Sequence, residues 1–196
     1  MQYYWQNDKV RLRAMEAEDC NFIEKLDSEA WSMASQEMAL PPVKRVVKEN
    51  SEILMETAKP VFSIENLAGD YVGDIRFNEI NERHGTFELG ISIWRDYRNQ
   101  GYAKAAVRIL LDYAFNERRL NKCNVDCIDS NIASIALWKS LGFHQEGIVR
   151  EQFFLKGRFC DKILFGLTAT EYKSWRTNKH EKSSSIKKGG IEIHGL

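Results

Sequence analysis

Cysteine is scarce in this chain, neither sign of charge prevails, and no apolar run is long enough to span a bilayer. Lys plus Arg number 28 and Asp plus Glu also 28, so no global field draws nucleic acid or an anionic membrane, and a charged partner must be met locally. The first twenty residues, MQYYWQNDKVRLRAMEAEDC, carry both signs and lack the apolar stretch of a signal peptide; a soluble cytoplasmic protein is the expectation. Cys20, Cys123, Cys127 and Cys160 are too few and too scattered for a disulfide scaffold. Cys123 and Cys127 lie four apart in an expected strand and share a face, as half of a metal site would, but no second Cys or His pair completes four ligands. Buried reduced thiols and no metal are expected. No G-x-G-x-x-G follows the first strand and no G-x-x-x-x-G-K-[ST] occurs, which excludes the two common nucleotide-binding loops. No solenoid repeat is present.

What the chain does have is apolar content of 43% over 196 residues, enough for one buried core. Lys9–Met15 alternates like a half-buried strand, and a helical pattern opens at Glu16–Asp19 and runs through Phe22, Ile23 and Leu26. A weakly periodic stretch from Ser28, closed by Pro41-Pro42, reads as a substrate lid before a helix over Val43–Thr57. Pro60–Leu67, Tyr71–Ile80 and Thr86–Trp94 form an expected antiparallel meander, followed by a helix over Gly101–Glu117 and a strand over Lys122–Ile128. A short helix over Ile132–Leu141 stops at Gly142, and strands Phe143–Val149 and Cys160–Leu167 flank a turn at Lys156-Gly157. The fold class is mixed α/β with a single domain over residues 1–176. Residues 177–196 are Ser- and Lys-rich, end near Gly189-Gly190, and read as a flexible polar tail.

The stretch that carries chemistry is ELGISIWRDYRNQGYAKAAVRILLDYAF, a strand, a connector and then Arg98-Asn99-Gln100-Gly101-Tyr102-Ala103 opening an amphipathic helix. Free amides at a helix start carry partial positive charge and suit a phosphate; Gly101 and Ala103 leave room for it, and Arg98 adds a charge-assisted contact. Taken alone, Gly101 would be a helix-start glycine and Arg98 a surface cation.

Several ordered blocks decide between these readings: VRLRAMEAED near the start, FELGISIW before RNQGYA, NIASIALWKSLGF from Asn131, and EGIVREQFFLKGRFCDKILFGL toward the end. Together, over roughly Lys9–Leu167, they resemble the GNAT acetyltransferases, particularly the branch with the ribosomal-protein N-terminal acetyltransferases RimJ and RimL and spermidine acetyltransferase. The resemblance implies a mostly antiparallel central sheet, splayed at the cofactor site and flanked by helices. It implies acetyl-CoA as cosubstrate, its pyrophosphate on the amides of Arg98–Ala103 and its pantetheine arm along backbone near Ile93 and Trp94. Asn131 would bond that arm, Ser134 would lie near the thioester sulfur, and Lys139 would meet outer phosphates or stand solvated.

An amine attacks a thioester only after losing a proton, and with a pKa of about 10 it needs a base. Glu88 matches the position where related enzymes carry an acidic residue acting through water; its bland alternative is a strand carboxylate paired with Arg76 or Arg95. A backbone amide near Ile91–Ile93 would hold the oxyanion. Where many relatives use a tyrosine to protonate the departing thiolate, this chain has Trp138, whose indole cannot do so at neutral pH. Ser134 is the substitute, unless its hydroxyl bonds its own backbone. The implied function is N-acetyl transfer from acetyl-CoA to a primary amine, by direct attack in a ternary complex. The acceptor is a protein N-terminus, a polyamine or another small amine, with Asp27, Glu29 and Glu37 as local attraction for a cation. The alternative is a catalytically inactive acyl-CoA-binding sensor of the same fold, for which Trp138 speaks. Tyr3-Tyr4 and Phe153-Phe154 suit an acceptor pocket, a packed core or a homodimer contact equally.

Overall fold

The computed structural model describes residues 5–16, 19 and 60–188. The two helices expected between Glu16 and Thr57, the lid with Asp27, Glu29 and Glu37, Tyr3-Tyr4 and Cys20 lie outside the described residues. Among the described residues seven strands form one sheet: β1 Val10–Ala14, β2 Val61–Asn66, β3 Tyr71–Asn81, β4 Thr86–Ile93, β5 Lys122–Ile128, β6 His144–Leu155 and β7 Arg158–Thr168, in the order β1-β2-β3-β4-β5-β7-β6. Every pairing is antiparallel except β4 with β5, which the crossover helix α1, Tyr102–Asp112, connects. Helix α2 is Ile132–Ser140 and α3 is Ala169–Lys188.

The period-two pattern sorts the two sheet faces. Ile75, Phe77, Phe87, Leu89, Cys123 and Val125 share one buried cluster with the inward stripe of α1, Ala106, Val107, Leu110 and Leu111. Phe77 and Phe87 meet edge to face at 5.8 Å, and each such fully buried ring contributes about 1.5–3 kcal/mol by leaving water. The opposite face carries Asp74, Arg76 and Glu88, with Glu88 in register with Asn124.

Most strands lie within a residue of expectation, and three differences have local causes. Strand β6 runs to Leu155, not Val149. Its pairing slips between Val149 and Phe153, where Glu151 adopts φ 53° and its N–H bonds Asp161 Oδ1 at 2.8 Å. A bulge of this kind breaks the alternation by which a strand is recognised. Helix α1 gives way at Tyr113–Glu117 to one wider turn. Residues 177–188, expected in the polar tail, continue α3; no Gly or Pro interrupts the chain from Ala169 to Lys188.

Helix α3 docks through its first two turns. The Tyr172 hydroxyl donates to Asp112 Oδ1 on α1 at 3.1 Å, Arg176 pairs with the same carboxylate, and the Trp175 ring lies against Gly142.

Candidate active site

The central feature is an interruption in the sheet. β4 and β5 pair only at Thr86, Phe87 and Glu88 with Lys122, Cys123 and Asn124. Beyond that point β4 stays with β3, through Leu89↔Phe77 to Ile93↔Gly73, and β5 stays with β7, through Val125↔Phe165 to Ile128↔Lys162. Each arm keeps its outer partner and the two inner edges part. The parting coincides with an irregularity on the other side of β4: β3 carries an extra residue, Asn78, between Phe77 and Glu79, opposite the Glu88–Leu89 step. Such a bulge bends and twists the pair. Gly90 accommodates it, since a Cβ there would lie 2.8 Å from Asn78 Oδ1 and 3.2 Å from Arg76 Nε.

Glu88 stands at the apex of the splay, the last residue of β4 in register with β5. It is half-buried. Its charge helps hold the Cys123 thiol well above the usual range, after burial, the larger cause. Arg76, one expected partner for Glu88, instead pairs with Asp74 at 2.8 Å and bonds Asn78 at 3.1 Å. Burial raises the Asp74 carboxyl above its ordinary value, against the opposing pull of Arg76 and Ser92.

At the open end of β4 the Trp94 N–H donates to Val72 O at 3.0 Å on the β3 side. Strand alternation therefore turns the backbone of Ile93 and Ile91 toward the splay. Arg98 Nε donates to Ile93 O at 3.1 Å, which agrees with that direction. Of the two residues expected to pair with a pantetheine arm, Ile93 faces the opening and the Trp94 amide is already engaged.

The loop that follows has its shape from two residue types that tolerate positive φ: Asn99 at 61° and Gly101 at 83°. Gln100 Nε2 braces it on Asp96 O at 3.3 Å. Among the described residues no acceptor meets the N–H groups of Asn99, Gln100, Gly101, Tyr102 or Ala103. A run of unsatisfied amides at alternating backbone conformations, ahead of a helix, forms a concavity for an anion. The loop is exposed at Arg98–Gly101, so a diphosphate can reach it from solvent. The residues present thus fit the phosphates of CoA.

β4 and β5 are parallel, so the loop at the head of α1 and the head of α2 emerge at the same end of the splay. Asn131 is the N-cap of α2: its Oδ1 accepts Ser134 N–H at 3.1 Å. The amide Nδ2 remains for a peptide-like carbonyl. The Ser134 hydroxyl makes no bond to its own backbone among the described residues, unlike Ser140, whose Oγ donates to Leu137 O at 2.8 Å. Lys139 is exposed in the last turn of α2; its neighbour Ser140 receives Lys104 Nζ from the first turn of α1 at 2.9 Å, so this end of α2 lies beside the phosphate loop.

Trp138 is 4% exposed, with its ring 5.2 Å from Phe143. It belongs to the core. Cys123 and Cys127 are buried on one face of β5, and burial, then the Asp126 charge, pushes the Cys127 thiol up to about 11; both remain protonated at neutral pH. Of the Phe153-Phe154 pair, Phe153 lies under Lys162 Nζ at 5.7 Å, while Phe154 is exposed and meets Phe159 edge to face. Sequence reasoning missed Asn78 and Gly90. A Gly between apolar strand residues was the available signal, and its bulge partner on β3 had none.

The Acetyltransferase (GNAT) domain family matches residues 9–144. The chain is 29% identical over 170 residues to the SPbeta prophage-derived uncharacterized N-acetyltransferase YokL of Bacillus subtilis, covering 87% of this chain and 96% of that one. It is 27% identical to a spermidine N(1)-acetyltransferase of Vibrio cholerae, covering 79% and 90%. A crystal structure of spermidine N-acetyltransferase from Vibrio cholerae in complex with CoA and spermine superimposes with a TM-score of 0.74 at 26% identity, over 85% of this chain and 99% of that one. The chain belongs to the GNAT acetyltransferase family, and it is an acyltransferase that takes its acetyl group from acetyl-CoA.

Proposed function

We propose that Glu88 is the general base of an N-acetyl transfer whose acceptor is a small cationic primary amine of the polyamine kind, attacking directly in a ternary complex. The observation that carries this reading is the position of Glu88 at the apex of the splay, with the unsatisfied amides of Asn99–Ala103 and the capped head of α2 at the same opening. Bound acetyl-CoA supplies the thioester carbonyl. Glu88 takes the amine proton, directly or through water, and a backbone N–H of Ile91 or Ile93 donates to the carbonyl oxygen as charge develops on it. Ser134 Oγ passes a proton toward the departing sulfur, a modest demand for a thiol of pKa about 8.5. Arg98 through Ala103 hold the diphosphate, Asn131 Nδ2 orients the arm, and Lys139 stands by the outer phosphates.

Two observations support a small cationic acceptor over a peptide N-terminus. The face that Glu88 shares carries two further carboxylates, Asp74 and Asp126, of the kind that suits a cationic acceptor, with Arg76 and Lys162 as their partners; and relatives named spermidine acetyltransferases match over most of the chain. We place the enzyme in the cytoplasm, where acetyl-CoA and reduced buried thiols coexist.

The test follows thiol release over a panel of polyamines, amino acids and short peptides. Spermidine or spermine is expected to give the highest kcat/KM, and preference for a peptide N-terminus would overturn the acceptor. Glu88→Gln is expected to lower kcat about 10²–10³-fold at pH 7, with the deficit narrowing toward pH 10 as free amine accumulates. An equal deficit at every pH would reduce Glu88 to a positioning role.

A further inference from the structure

We propose that Lys9, at the head of β1, is a diphosphate-binding residue of the CoA site, although it lies far outside the R-x-x-G-x-A loop. The inference rests on the reading of Arg98–Ala103 as the phosphate loop.

Lys9 crosses to that loop from the N-terminal edge strand. Its Nζ donates to Gln100 O at 3.3 Å, and its Cδ, Cε and Nζ lie 3.7–3.8 Å from where a Gly101 Cβ would stand. The stem therefore lies along the backbone of the residue that caps α1. Its own backbone is tied there as well. Asn7 Oδ1 accepts the N–H groups of Lys9 at 3.0 Å and Val10 at 3.1 Å, while Asn7 Nδ2 donates to Ala105 O in the first turn of α1 at 2.9 Å. One asparagine side chain thus locks the turn before β1 to the helix whose N–H groups are unsatisfied.

The charge on Lys9 has no carboxylate partner among the described residues. A peptide carbonyl is a weak match for an ammonium group, and an exposed lysine held at one beside a row of free amides supplies what a dianionic diphosphate requires. Lys9 also approaches from the head of β1, whereas Arg98 stands in the connector after β4 with its Nε committed to Ile93 O, so the two cations act from independent anchors. In this arrangement the Gln100 carbonyl is a resting partner that the ammonium leaves for phosphate oxygen.

The experiment is calorimetric titration of the full chain with CoA and with 3′-dephospho-CoA, using wild type, Lys9→Met, Lys9→Arg and, as control for the loop, Ala103→Glu. Lys9→Met keeps the apolar stem. It is expected to weaken CoA binding about five- to tenfold, the loss of one exposed charge-assisted contact, with an unchanged melting temperature and a shallower dependence of affinity on salt. Lys9→Arg should stay within about twofold of wild type. The same loss with 3′-dephospho-CoA supports the diphosphate assignment, whereas a loss seen only with CoA moves Lys9 to the ribose phosphate and overturns it. Lys9→Met binding like wild type while Ala103→Glu fails to bind overturns Lys9 alone. Undiminished binding by Ala103→Glu overturns the loop reading beneath it.

Discussion

Asp19 shows how one side chain fixes a charged corner of the polar sheet face. Arg13 grips its carboxylate at 2.7 and 2.8 Å, the Ser63 hydroxyl donates to it at 2.6 Å and the Glu16 N–H at 2.9 Å. Burial pushes the Asp19 carboxyl up, but these donors outweigh it and hold the group below its ordinary value. A depressed pKa in the folded state means the stabilisation is fully present above the unfolded value of about 3.9 and is lost as pH falls through the folded one. Asp19→Asn is therefore expected to cost about 2 kcal/mol at pH 7, with the difference from wild type shrinking below about pH 4. Urea denaturation at both pH values checks this; an equal deficit at each would mean that the charge of Asp19 contributes nothing.

At the scale of elements, α3 is held to the domain through its first turns. Tyr172, Trp175 and Arg176 make its contacts with Asp112 and Gly142, and Tyr172 is 2% exposed. We propose residue 176 as the limit of the domain. Deletion after Arg176 should shift the melting temperature by less than about 2 °C, while deletion from Tyr172 onward should lower it by several degrees. A large drop from the shorter deletion would mean that the far end of the helix packs on something. The strands were legible because half-buried strands alternate and turns announce themselves: Lys156-Gly157, at φ 51° and 78°, is a two-residue turn with both residues in the left-handed region. The excess length of β6 was hidden because Arg150–Gln152 breaks the alternation without ending the strand. The extension of α3 was hidden because a polar helix without an apolar stripe carries no periodic signal.

At the scale of the whole molecule, what was legible in the site followed sequence distance. Arg98–Ala103 is one contiguous stretch whose Asn and Gly foretell its backbone, and Asn131 stands three residues before Ser134, the spacing of a cap. Asn78 beneath Gly90 and Lys9 beside Gly101 depend on register between strands and on a crossing of 91 residues, which no local pattern encodes. The splay itself has one more bearing. A closed parallel pair would have to surrender ladder bonds each time a cosubstrate entered, and this sheet forgoes them once, when the chain folds, because β3 and β7 already satisfy the outer edges of β4 and β5. The inner edges stand ready as two halves of an unfinished ladder. On the proposed reading of the site, an amide-bearing arm laid between them adds a transient eighth strand, and the molecule is most nearly whole at the moment it is loaded.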